Sequence, residues 1–149
     1  MGEATFYCKI FFNTQQEAQA ALPKIKKFIT EGIEAEDFWQ SRRNDNCDDN
    51  TRKIFWSDFE QKFPEISNYL RHASYFGGDC NNRLAGLLDF GTPDEAEYVD
   101  IDDNAIRYMA YVWHFADWEP WLDFVKKRYG AERFSWVNDE YVDDFVLCV

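Results

Sequence analysis

The sequence predicts an α+β fold, a mainly antiparallel sheet with helices packed on one face. Three observations carry this: apolar residues alternate strictly near the start, recur at helical spacing in the next stretch and again near residue 120, and return to a period of two over much of the second half. No repeat, linker or low-complexity stretch divides the 149 residues, so one domain with one core is expected over 1–149.

Residues 4–12 place Phe6, Cys8, Ile10 and Phe12 on one face, the pattern of a half-buried first strand. Thr14 and Glu17 then form a capping box, and Ala18, Ala21, Leu22, Ile25, Phe28 and Ile29 follow at helical spacing up to Gly32. Pro23 is expected to kink or split this helix, because its nitrogen cannot donate and its ring meets the carbonyl of the previous turn. Within 33–56, an aromatic and acidic segment ending at Trp39 leads into a polar tract, residues 41–51, with the composition of an exposed loop. Ser57 and Glu60 form a second capping box ahead of a stripe of Phe59, Phe63, Ile66, Leu70 and Ala73. Pro64 suits the first turn of a new helix, and Gly77 and Gly78 close the helical region.

Strands are expected at 83–90, 97–101 and 105–114. Asp117 is read as the cap of a helix that places Trp118, Trp121, Leu122, Val125 and Tyr129 on one face. Lys126, Lys127 and Arg128 suit its last turn, and Gly130 its end. Residues 132–137 and 141–148 read as closing strands. The simplest architecture with this order of elements is ferredoxin-like. Its core should contain Phe6, Ile10, Leu22, Ile25, Phe28, Leu70, Val112, Trp121, Leu122 and Val125.

Composition narrows the class of function. With 46% apolar and 19% aromatic residues, Phe, Tyr and Trp must supply much of the buried area. No apolar run approaches the ~20 residues of a membrane span, and no basic segment precedes an apolar one at the start, so a soluble, cytoplasmic protein is expected. Cys8, Cys47, Cys80 and Cys148 are scattered, which fits reduced thiols in a reducing compartment.

Charge is the extreme quantity. The formal net charge is −12, and residues 76–149 carry 16 acids against 6 bases, while residues 1–75 carry 12 against 10. Asp89, Asp94, Glu95, Glu97, Asp100, Asp102 and Asp103 form one run without a base, and Asp139, Glu140, Asp143 and Asp144 another. Such a field repels nucleic acid and anionic membranes and favours a basic partner, although it also serves solubility alone.

Signatures of chemistry are weak. No glycine-rich phosphate loop is present, since Gly77-Gly78 lacks a following Lys. A calcium loop starting at Asp100 would place Ala105 and Tyr111 where Gly and Glu are needed, and one starting at Asp45 would place Cys47 at an acid position. His72 and His114 have no second His or Cys at metal-ligand spacing, so no metal and no cofactor is expected. A cysteine–histidine nucleophile using Cys47 or Cys80 has no support from any feature that would lower a thiol pKa. Trp118 and Trp121 lie on an apolar helix face and are expected in the core. Trp39 and Trp56 flank the polar tract, where a partner surface competes with a satellite core.

Residues 106–145 run IRYMAYVWHFADWEPWLDFVKKRYGAERFSWVNDEYVDDF. An aromatic strand ends at Trp113, Trp118 and Pro120 open a helix that Tyr129 closes, and a strand is followed by Glu140-Tyr141. This segment resembles the second half of the YubB-type ferredoxin-like family of plasmid- and phage-associated proteins of unknown function. The resemblance implies the fold and no site residues, and the spacing from Trp113 to Pro120 departs from the family's tight tryptophan–proline turn.

Two functions follow as expectations. The first is an acidic interaction domain that imitates nucleic acid and inhibits a DNA- or RNA-handling protein, such as a host-defence complex of the CRISPR type. Duplex DNA carries one negative charge per ~1.7 Å of axis, so aligned carboxylates can occupy a cationic groove. Its partner would be the basic surface of a nucleic-acid-binding protein, met by the two acidic runs with Trp39 and Trp56. The alternative is a small enzyme or ligand-binding domain with an aromatic pocket near Tyr111, Trp113 and His114.

Overall fold

The computed structural model describes residues 3–42, 48–73, 99–113 and 118–139. In chain order these form β1 (Glu3–Phe11), α1 (Gln15–Arg42), α2 (Asp49–Lys62), α3 (Pro64–His72), β2 (Val99–Asp102), β3 (Ala105–Trp113), α4 (Glu119–Tyr129) and β4 (Arg133–Asp139). The four strands make one sheet in the order β2-β3-β1-β4, with every neighbouring pair antiparallel.

Register decides what each sheet face carries, because directly opposed residues of an antiparallel pair share a face. Cys8 lies opposite Tyr108 and Trp136, and Ile10 opposite Ile106 and Phe134, while Val99 pairs with Tyr108. These side chains, with Phe6 and Ala110, join the helices in the core. Phe6 stacks on Trp118 at 3.8 Å between ring centroids and meets Trp121 edge-on, and Tyr108 stacks on Trp121 at 5.8 Å. Trp136 Nε1 donates to Glu119 Oε1 at 2.9 Å, tying β4 to the start of α4. The sheet's other face buries Thr5, Tyr7 and Met109 and carries the ion pairs of β2.

Of the expected core residues, Phe6, Ile10, Ile25, Phe28, Leu70, Trp121, Leu122 and Val125 are buried. Leu22 is half-buried against them. Cys8 is buried and forms no disulfide. The expected strands at 83–90 and 141–148, the double glycine and the other three cysteines lie outside the described residues.

The helices depart from expectation in three places. α1 is neither ended at Gly32 nor split at Pro23; it runs 28 residues. Interior proline costs about 3 kcal/mol. Against this, Ile25, Phe28, Ile29, Ile33 and Trp39 are all buried along one continuous face, each contributing roughly 1.5–3 kcal/mol, so burial wins. Pro23 itself lies on the exposed face. The expected loop is correspondingly shorter, since residues 33–42 extend α1 and 49–56 belong to α2.

Ser57 and Glu60 lie within α2 and do not open it. The cap is Asp48, whose Oδ1 accepts from the Thr51 amide at 2.7 Å. α4 begins after Trp118, with no side-chain bond at that cap, and Asp117 lies outside the described residues. The Thr14 cap is as expected, accepting from the Glu17 amide at 3.1 Å. Gly130 ends α4 at φ 79, and its amide and that of Ala131 both donate to the Lys126 carbonyl.

Candidate functional site

Two places concentrate charged chemistry: the β2 edge of the sheet, and a cleft between α1, α3 and α4.

Among the described residues β2 pairs with β3 alone, which puts it at the edge of the sheet they form. Period-two geometry sends Asp100 and Asp102 to the face away from the helices, where basic residues meet them. Arg107 Nε and Nη2 donate to the two Asp100 oxygens at 2.8 and 2.6 Å, a bidentate pair across the hairpin. The hydrogen bonds and charge of Asp100 raise the guanidinium pKa further, against a smaller desolvation effect. Lys9 of β1 reaches Asp102 at 3.2 Å. Both carboxylates remain about half exposed, at 46%. Asp103 sits in the two-residue turn at φ 55, exposed, a conformation that Asp tolerates better than most residues. Asn104 fixes the turn against β1, its Nδ2 donating to the Phe12 carbonyl at 2.7 Å and its own carbonyl accepting from the Phe12 amide at 2.8 Å.

Of the acids picked out from the sequence, the structure thus brings Asp100, Asp102 and Asp103 together on one edge. Asp139 ends β4 opposite Thr5. Asp89, Asp94, Glu95, Glu97, Glu140, Asp143 and Asp144 lie outside the described residues, as does His114.

Trp39 and Trp56 are corrected. They are 2% and 5% exposed, members of the core, and offer no surface to a partner. The reason is that both flanks of the polar tract are helical. α1 and α2 pack together there, with Phe38 tilted on Phe55 and edge-on to Phe59 and Phe63, and Trp56 edge-on to Phe55 and Phe59.

The cleft holds about 540 Å³ and is lined by Lys24, Lys27, Phe28 and Glu31 of α1, the first turn of α3, and Arg128 and Tyr129 of α4. The α1 residues recur at intervals of three and four, so they form one stripe. α3 starts at Pro64 after Phe63, a residue with no side-chain acceptor. Glu31 fills that role from another helix, accepting from the amides of Glu65 and Ile66. Partial burial, helped by the Glu65 charge, raises the Glu31 pKa despite these bonds and the pull of Lys27.

Glu65 behaves oppositely. Burial pushes its pKa up, but Arg128 Nε at 2.8 Å, Tyr129 Oη at 3.0 Å and Asn68 Nδ2 at 3.2 Å more than offset this and hold it low. Tyr129 is shifted well above its usual range, first by burial and then by the adjacent Glu65 charge. A second link closes the far side of α4. His72 Nε2 lies 3.0 Å and Lys127 Nζ 3.1 Å from Asp123 Oδ2. Their hydrogen bonds and charges lower the Asp123 pKa against its desolvation.

These carboxylates therefore hold helices together, and no cluster of three or more His, Cys, Asp or Glu suited to a metal occurs among the described residues. The cleft was missed in the sequence because its residues come from three separated helices. One signal was present: a helix opening Phe63-Pro64 leaves its first amides without a local acceptor and so demands one from elsewhere.

No family model, no curated protein and no solved structure matches the chain. Among the described residues no helix is long and apolar enough to cross a membrane.

Proposed function

We propose that the chain is a protein-interaction module that meets a basic protein surface through its acidic excess, imitating nucleic acid. One observation carries the reading: residues 76–149 hold 16 acids against 6 bases, and Asp100, Asp102 and Asp103 of that half lie together along the β2–β3 hairpin. Several acids of the described residues already hold internal contacts, Asp100 and Asp102 on the sheet and Glu31, Glu65 and Asp123 between helices. Asp103 at its exposed turn and the acidic runs that include Asp94 and Asp143 are the acids this reading assigns to the partner.

The ferredoxin-like arrangement belongs to the same proposal. It is supported by the order β, helices, β, β, helix, β with the first and third strands central and antiparallel. Kinship with YubB-type proteins is proposed on the residues of 106–145 quoted above.

The test is capture of partners from a lysate across a salt series, comparing the native chain with a variant carrying Asp94→Asn, Glu95→Gln, Glu97→Gln and Asp103→Asn. Asp100 and Asp102 are left intact because they anchor β2. A charge-held partner is lost as the Debye length falls below about 8 Å, and the variant binds it more weakly with a flatter salt dependence. Partners indifferent to both salt and variant would overturn the reading.

A further inference from the structure

We propose that the cleft between α1, α3 and α4 is a binding site for a small anionic ligand, a phosphate or carboxylate group on a flat apolar body, with Lys24 and Lys27 holding the anion. The cavity, about 540 Å³, lies within the range that encloses small organic molecules. Its acceptors are already engaged. Glu31 takes two α3 amides, and Glu65 takes Arg128, Tyr129 and Asn68. Asn68 is committed at both ends, since its Oδ1 accepts from Arg71.

The donors are a different matter. Lys24 and Lys27 line the cleft, and neither has a carboxylate within 4.0 Å among the described residues. Three positions apart on α1, their Cβ atoms are roughly 5–6 Å from one another, so both ammonium groups reach one oxyanion. Apolar surface adjoins them. The rings of Phe28 and Tyr129 meet at 6.2 Å, and Pro64 faces them across the cleft. A smaller cavity of about 290 Å³ shares Lys24, Arg128 and Tyr129 with the cleft and is also lined by Phe12, Glu17 and Gly130, so Lys24 borders both. Anion recognition here is independent of the acidic segments that carry the proposed protein contact, and each can fail without the other.

The experiment is an amide-resolved NMR titration of the full chain with phenyl phosphate, phenylacetate, inorganic phosphate and, as a cationic control, benzylamine. Saturable shifts are expected around Lys24, Lys27 and Tyr129 with the two aromatic anions, weaker ones with inorganic phosphate, and none with benzylamine. The ratio of phenyl phosphate to phenylacetate affinity identifies the preferred anion. Lys24→Gln with Lys27→Gln should weaken binding about tenfold. Lys26→Gln with Lys53→Gln, which changes net charge equally outside the cleft, should leave it unchanged. Absence of saturable shifts up to about 20 mM, preference for benzylamine, or equal effects of the two double variants would each overturn the proposal.

Discussion

Glu31 offers a sharp test of how α3 is held. That helix starts with Phe63 at its cap and Pro64 at its first position, and the Ser67 amide is already satisfied by the Phe63 carbonyl at 2.9 Å. The amides of Glu65 and Ile66 depend on Glu31, which reaches them from α1. Loss of an N-terminal cap costs about 0.5–2 kcal/mol, and two amides in a half-buried site place Glu31→Ala in the upper part of that span, about 1–2 kcal/mol. Glu31→Gln should behave differently. Its amide oxygen still accepts, and it carries no charge to desolvate, so at pH 7 it should cost less than about 0.5 kcal/mol or even stabilise.

The pH dependence of Glu31 follows from the raised folded-state pKa. Its stabilising contribution is complete below the unfolded carboxyl pKa and is lost as pH rises through the folded one. Any advantage of Gln over Glu should therefore shrink on acidification. Urea unfolding of the three proteins at pH 7 and pH 4.5, compared at constant m, reads both effects. If Gln destabilises as much as Ala, Glu31 does not act as an acceptor and the cap is wrongly assigned.

Glu65 should titrate with the opposite sign. Its folded pKa is depressed, so its stabilisation is present above the unfolded value and lost as pH falls through the folded one. Glu65→Gln should accordingly flatten the acid limb of stability against pH, and an unchanged limb would show that Arg128 and Tyr129 do not hold this carboxylate in solution. Leu122 and Trp39 are 0% and 2% exposed, so Leu122→Ala should cost roughly 2–5 kcal/mol and Trp39→Ala roughly 3–5 kcal/mol in the same assay. A change below 0.5 kcal/mol in either would place that side chain outside the core.

The combination of interior packing and exposed charge separates two kinds of test on the acidic edge. Substituting Asp100 or Asp102 disturbs contacts of β2 to Arg107 and Lys9 as well as any partner, whereas Asp103 projects from a turn and makes a cleaner probe. Half-exposed pairs of this kind contribute modestly, about 0–1 kcal/mol, so loss of binding without loss of stability remains interpretable.

The sequence by itself determined the elements whose patterning is local and periodic. Strict alternation defined β1, the Thr14 cap and the following stripe defined the start of α1, and Gly130 defined the end of α4. Each signal lies within a few residues of the structure it specifies. Tertiary structure alone decided the rest. α1 passes Pro23 and Gly32 because burial summed over its whole length exceeds the local cost of breaking residues, a balance no window of the sequence displays. Trp39 and Trp56, beside a polar tract, were drawn inward because two helices meet there. Asp100 and Asp102 acquired basic partners because antiparallel register put Arg107 and Lys9 on their face. Likewise Glu31, Glu65 and Arg128 converge only when α1, α3 and α4 pack around the sheet. Charge and capping groups act over a few ångströms of space, and the fold rather than chain order sets which groups come that close.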